Sequence, residues 1–462
     1  MDILNKKIDL VYKILGKQDF INNEPYRYSY HCIQIAVDYG ILLYQVMTKE
    51  LLLLSYDDIQ SINLNKSDDK NLINKYLVEH WFLRPINRND CDIVDKLREI
   101  ANLLKKQIDY SINTYTIFTT TNCNARCFYC FEKGLKKIDM SEKTAIDVAK
   151  YIINHCGNEM VKFRWFGGEP LCNISAIDII TQNLLDNGIS FESTMVSNGY
   201  LFDEIVVKKA KNSWNLKSTQ ITIDGTEKVY NWRKSYIYKN VNAFQRVLSN
   251  IELLLLSDIE VIVRLNMDKD NISDLFRLCA QLSERFKNYH NFHIYVAMLY
   301  KNIESTDDNY ISVEQFELYN KAIKLRKYIM DLGLSTIPKL KTTITINRCM
   351  ADSKSSTVVT PTGKLGMCEH FTETEIWGDI YSNEINYEIV EQWKEKIEKE
   401  DKCYQCEVYP ECIRLKKCPA IQKKCTLNDQ ELRKEKIIRA MLFSYSSWLK
   451  ITQSDQTSKQ TS

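Results

Sequence analysis

Between residues 112 and about 300 the chain alternates short β-branched runs with amphipathic helical patterns, six times over. No other feature narrows the fold as far. Strand-length runs lie at Tyr115–Thr121, Val161–Phe166, Phe191–Ser197, Ser218–Asp224, Ile259–Asn266 and Phe292–Ala297. Segments between them, at about 175–186, 202–212, 240–256 and 273–287, carry apolar residues at helical spacing. After Ser141, Ala145, Ile146, Val148, Ala149, Ile152 and Ile153 share one face, and Gly157 ends the helix. Strands separated by helices pair in parallel, because a parallel partner needs a long crossover. The expected fold class is therefore α/β, a parallel sheet curled into a partial barrel, with its ligand site at the carboxyl ends of the strands.

The flanking segments read differently. Residues 1–110 open with two apolar runs, His31–Asp38 and Ile41–Val46, around Tyr39-Gly40, which spells a hairpin. Helical patterns follow at about 70–82 and 92–107, an α+β order for a small N-terminal domain. The barrel is expected over 111–300 and a helical bridge over 301–344, its helix starting at the capping box Ser312/Gln315 and ending at Gly333. A loop-rich, cysteine-rich domain is expected over 345–428, with a short hairpin near Thr357–Met367. Over 429–462 a helix at 429–449 is expected to give way to a disordered polar tail, Gln453–Ser462.

Charge and composition exclude several functions. The chain has 462 residues, 62 Lys+Arg against 60 Asp+Glu, and a formal charge of +2, so no basic surface binds nucleic acid. An apolar fraction of 44% is globular rather than disordered. Apolar stretches such as Leu51–Leu54 and Leu253–Leu256 are too short to span a membrane. The N-terminus lacks a signal-peptide layout, so a cytoplasmic location is expected. There thiols stay reduced, and the 15 cysteines need a reason other than disulfides.

Their spacing supplies one. Cys123, Cys127 and Cys130 form a C-x3-C-x2-C loop directly after the first barrel strand. Three thiolates on one loop suit three irons of a [4Fe–4S] cubane and leave the fourth iron open, as a catalytic metal centre requires. Three ligands of a zinc site with a distant fourth are the alternative. Seven more cysteines, Cys349, Cys368, Cys403, Cys406, Cys412, Cys418 and Cys425, crowd a segment poor in periodic apolar residues, which metal–thiolate bonds would order. A zinc ribbon is the alternative there. Cys32, Cys91, Cys156, Cys172 and Cys279 are scattered, and core packing is expected for them.

Later strand ends carry further polar motifs. Gly167-Gly168-Glu169-Pro170 ends the second strand; glycines let backbone approach a ligand, and Glu169 can accept from an ammonium group. Ser197-Asn198-Gly199 ends the third, Thr222-Ile-Asp224-Gly225 the fourth, and Arg264 lies near the end of the fifth. Each alone reads as a turn or a solvated strand end; four in succession do not.

The cysteine loop with these motifs resembles the signature of the radical S-adenosylmethionine (radical SAM) superfamily. The resemblance implies that Cys123, Cys127 and Cys130 hold a [4Fe–4S] cluster whose open iron chelates SAM. Tyr129 would pack near the adenine, and Gly167, Gly168, Glu169, Ser197, Asn198, Thr222, Asp224 and Arg264 would approach SAM. Relatives often continue the fourth motif with His-Asp, where this chain has Tyr230-Asn231. The seven later cysteines resemble the SPASM extension, which holds two auxiliary [4Fe–4S] clusters, making three in all. The resemblance implies Cys403, Cys406, Cys412 and Cys425 for the outer cluster and Cys349, Cys368 and Cys418 for the inner one. Five residues separate Cys412 from Cys418, where the family pattern has three. Such enzymes mostly modify peptides, so the implied partners are a ribosomally made precursor peptide and a reductant such as flavodoxin or ferredoxin. Residues 25–108 would be a winged-helix-like leader-binding domain, and the product a thioether, carbon–carbon or carbon–oxygen cross-link. The alternatives are a sulfatase-type maturase making formylglycine, with Asp268, Asp270 or Asp274 as base, and a non-catalytic metal protein that binds peptides.

Overall fold

The computed structural model describes residues 1–5, 9–65, 68–106, 111–299, 313–335, 339–370, 375–382, 384–418, 425 and 427–460. The chain divides into two compact units. One comprises Tyr110–Thr336 and Met350–Trp393; the other comprises Met1–Asp109, Ile337–Cys349 and Lys394–Ser462. These units cut across the segment 345–428 that the cysteine pattern suggests as one domain.

The first unit holds the strand–helix alternation. Strands β1 (Thr114–Thr120), β2 (Val161–Gly167), β3 (Phe191–Ser197), β4 (Leu216–Thr222), β5 (Glu260–Met267) and β6 (Phe292–Met298) lie side by side in chain order, all parallel. The sheet continues past β1 into β7 (Ser356–Val359), parallel to β1, then β8 (Lys364–Gly366), antiparallel to β7, and β9 (Ile376–Asp379), antiparallel to β8. The β7–β8 hairpin lies where the sequence placed one; β9 was not foreseen.

Crossover helices are α1 (Glu142–His155), α2 (Ile174–Asp186), α3 (Glu204–Asn212), α4 (Glu227–Lys234), α5 (Ala243–Leu256) and α6 (Ile272–Phe286). Ser141 caps α1 by accepting from the Thr144 N–H, and Asp203 and Asn242 cap α3 and α5. Helix α4 was not foreseen. A further helix, α7 (Val313–Asp331), starts beside Ser312, which lies outside the described residues.

Burial alternates along β2, β3 and β4. One face, with Phe163, Trp165, Met195 and Ile221, joins helix residues such as Val148, Ile177 and Ile251 in a single core. The other face is half-open and polar. The register puts Arg164 beside Thr194, Thr222 beside Arg264, and Arg264 beside Tyr295.

In the second unit a four-stranded antiparallel sheet runs in the order Asp2–Ile3, Glu50–Leu54, Gly40–Gln45, Cys32–Val37. The expected hairpin at Tyr39-Gly40 is its right-hand pair. Leu51–Leu54 is a strand covered on both faces, which explains its unbroken apolar run. Leu52 and Leu54 pack with Leu77, Val78 and Phe82. Leu51 and Leu53 pack with Val408, Met441 and Tyr445. The last helix runs from Leu427 to Gln460, so the tail expected to be disordered from Gln453 is helical as far as Gln460; Thr461 and Ser462 lie outside the described residues. It contains no glycine or proline, so nothing stops the backbone ladder. Among the described residues no helix is long and apolar enough to cross a membrane.

Candidate active site at the barrel mouth

The C-x3-C-x2-C loop leaves the carboxyl end of β1. It is fastened at its base: the Thr121 hydroxyl donates to the Lys136 carbonyl at 2.7 Å, and the Asn122 amide to Asp139 at 2.8 Å. Higher up, the Arg126 N–H donates to the Lys234 carbonyl and the Ile237 N–H to the Asn124 carbonyl, both at 2.9 Å. Burial is the main reason the Cys123 and Cys130 pKa values rise, and Cys127 lies close enough for its charge to add to both. Burial first, then the Glu169 carboxylate, push the Cys123 thiol up to about 12. A thiol raised in this way stays protonated near neutral pH and would become a thiolate only with a metal bound to it.

The glycine pair packs against this loop. A Cβ on Gly167, at φ +117°, would stand 2.1 Å from the Thr120 carbonyl oxygen; one on Gly168 would stand 2.3 Å from that of Asn122. The Gly168 N–H donates to Thr120 at 3.1 Å and the Glu169 N–H to Asn122 at 2.8 Å. The close neighbour that demands glycine is thus the loop's own backbone.

Glu169 is fully buried. Its carboxylate accepts from the Ser197 hydroxyl at 2.9 Å, the Asn198 N–H at 2.7 Å and the Leu171 N–H at 3.2 Å. Burial outweighs these donors and raises its pKa to about 7. Asn198 reaches on to the loop, donating to the Asn124 side chain at 2.6 Å. Glu169, Ser197 and Asn198 therefore tie β2, β3 and the cysteine loop into one assembly.

Asp224, just beyond β4, is also fully buried. It accepts from the Tyr129 hydroxyl, and the Lys234 ammonium stands 3.5 Å from it and 3.1 Å from the Tyr129 oxygen. Burial alone would depress the Lys234 pKa, but Asp224, then Tyr129 and Cys127, hold it well above the ordinary lysine value. Sequence reading missed Lys234, which enters from α4. Its signal was Thr226-Glu227 after Gly225, a helix start, with Arg233-Lys234 at the end. Thr222 and Arg264 lie on the half-open face; Arg264 donates to the Asn266 side chain at 2.9 Å. Gln220 and Tyr295, joined there at 2.6 Å, were likewise not foreseen.

Three buried polar atoms at the loop have no protein partner among the described residues: Asn124 Nδ2, Glu132 Oε1 and Asp224 Oδ1. Such atoms fit a polar ligand resting against the loop. Soft thiolates fit an iron–sulfur cluster, so the residues present suit both cluster and SAM.

Cys403, Cys412 and Cys425 lie close enough to Cys406 for their charges to act on it. Burial, followed by the charges of Cys412, Cys425 and Cys403, pushes Cys406 up to about 11. Cys349 and Cys418 belong to this unit, and Cys368 to the barrel unit. Of the five cysteines expected in the core, Cys32, Cys91, Cys156 and Cys279 are buried. Cys172 is exposed, because the short turn Pro170–Asn173 turns it away from the core that Leu171 enters.

A parallel partial barrel whose first strand empties into this three-cysteine loop is the arrangement that the resemblance to radical SAM enzymes implies. The comparisons with known proteins agree. Residues 114–247 match the model of a 4Fe-4S single cluster domain. A GTP 3',8-cyclase of Clostridium perfringens is 24% identical over 277 residues, 58% of this chain and 82% of its own. An uncharacterized protein of Methanocaldococcus jannaschii is 32% identical over 110 residues; the chain spans only 37% of its length. In fold the chain is similar to native anSMEcpe with bound AdoMet and Cp18Cys peptide. The TM-score is 0.51 and the identity 16%, over 74% of this chain and 99% of that one.

Proposed function

We propose that the chain modifies a ribosomally made precursor peptide. The observation that carries this reading is the three-cysteine loop held against Glu169 and Asp224, in a chain whose fold is similar to a solved peptide-bound structure. Cys123, Cys127 and Cys130 would hold the [4Fe–4S] cluster, Glu169 and Asn198 would meet the amino group of SAM, and Tyr129 would pack near its adenine. When bound, the reduced cluster and SAM supply a carbon-centred radical that takes hydrogen from the substrate. The chain's own residues orient: the Lys234–Asp224–Tyr129 group fixes the loop from below. The polar face with Arg164, Gln220, Arg264 and Tyr295 is where a peptide would lie. The later cysteines would hold two auxiliary clusters, which would supply an acceptor for the surplus electron of a cross-linking reaction. A flavodoxin or ferredoxin supplies the reducing electron.

Formylglycine formation is less favoured, because two of its candidate bases are engaged. Asp268 pairs with Arg233 at 2.7 Å, and Asp274 accepts from the Thr226 N–H at 2.6 Å. The test is anaerobic reconstitution with iron and sulfide, followed by dithionite and SAM. Wild type is expected to release 5′-deoxyadenosine and Cys127→Ala to release none; equal amounts would overturn the enzyme reading. Adding peptides encoded by small neighbouring reading frames, with GTP as a separate arm, reads the substrate class by mass. A change in GTP and in no peptide would overturn the peptide reading.

A further inference from the structure

We propose that Arg98, on the helix Asp90–Lys106 of the N-terminal segment, is a positioning residue for the outer auxiliary cluster. The inference rests on the reading that Cys403, Cys406, Cys412 and Cys425 hold that cluster. One guanidinium nitrogen, Nη2, faces three main-chain carbonyls, those of Tyr409, Pro410 and Cys412, each at 3.0 Å. These are the residues of the turn that delivers Cys412. Nε reaches the Thr345 carbonyl at 3.4 Å, and the side chain is 8% exposed.

The same helix holds the turn at two other points. Asp95 accepts from the Tyr409 hydroxyl at 2.7 Å, and the Cys91 thiol donates to the Cys403 carbonyl at 3.3 Å. Arg98 is different in kind from these. A turn whose carbonyls converge on one point needs a cation there, and a planar fork serves several acceptors at once. It also sets a positive charge directly against the main chain of Cys412, a residue that would ligate the cluster. A four-thiolate cubane gains negative charge on reduction. A buried cation beside it favours the reduced form and raises its potential.

The experiment separates fork from charge. The chain is reconstituted in a Cys123→Ala/Cys127→Ala/Cys130→Ala background, and the outer cluster's signal is the one lost on Cys406→Ala. Arg98→Lys keeps the charge and loses the fork; Arg98→Gln keeps a donor and loses the charge. In an EPR-monitored redox titration Arg98→Gln is expected to show a more negative midpoint, with Arg98→Lys close to wild type. Failure of Arg98→Gln to load iron while Arg98→Lys loads it also supports the proposal. Tyr409→Phe removes the neighbouring bond and leaves Arg98 in place. If it shifts the midpoint or the loading as far as Arg98→Gln does, general loosening is the cause and the proposal is overturned. An unmoved midpoint in a loaded Arg98→Gln overturns it too. A wild-type chain that places no iron at these four cysteines overturns the cluster reading itself, and the inference with it.

Discussion

Glu169 makes the stability of this protein depend on pH in a way that one substitution should abolish. Its carboxyl is fully buried and its pKa rises from the ordinary 4.5 to about 7, chiefly through burial. Between those values the folded chain holds a proton that the unfolded chain has released. Stability from this group is therefore complete below about pH 4.5 and is lost as pH rises toward about 7. At about 1.4 kcal/mol per pH unit, the loss is roughly 3 kcal/mol. Glu169→Gln has no proton to release. Its amide nitrogen must face one of three buried donors, from Leu171, Ser197 or Asn198, at a cost of about 1–3 kcal/mol. Urea unfolding of the metal-free chain at half-unit steps from pH 4.5 to 8 would read both effects. The variant should start less stable, and the gap should close by roughly 3 kcal/mol as pH rises. Two parallel profiles would refute the argument, since they would mean that Glu169 ionises in the folded chain as easily as in the unfolded one.

Other perturbations have equally direct readouts. Gly168→Ala puts a methyl group 2.3 Å from the Asn122 carbonyl, so it should cost about 1–3 kcal/mol and lower iron loading at the first cluster; unchanged loading would show that the strand end can shift freely. Lys234→Met leaves Asp224 buried without its cation, which should cost about 3–5 kcal/mol in thermal unfolding, whereas Lys234→Arg should recover most of it. Asn198→Ala removes the link to Asn124 and should weaken SAM binding while leaving the melting temperature within a few degrees of wild type, measured by calorimetry.

The barrel was legible because its signals are local. Alternating burial in β2, β3 and β4 follows directly from residue order, and caps such as Ser141 mark helix starts. What escaped notice depends on distant neighbours. Helix α4 has few apolar residues, and its importance comes from where Lys234 lands, beside a tyrosine far back in the chain. Leu51–Leu54 looked like a short apolar stretch because a strand covered on both faces loses its period of two. The glycine pair was visible, but its reason was not. It meets the backbone of Asn122 and Thr120, and no periodicity records that approach. Likewise Cys91 passed as a packing residue, although its thiol reaches the carbonyl of Cys403.

The antiparallel sheet near the N-terminus has a consequence for synthesis. One of its faces, with Leu42, Tyr44, Leu51 and Leu53, is closed by Val408, Met441 and Tyr445, which are translated far later. The sheet's residues leave the ribosome well before them and must wait, with an apolar face open, until that later segment exists. A nascent chain stalled before the helix Leu427–Gln460 would present that face to other molecules. The helix therefore acts as a late latch, hiding a surface made long before it.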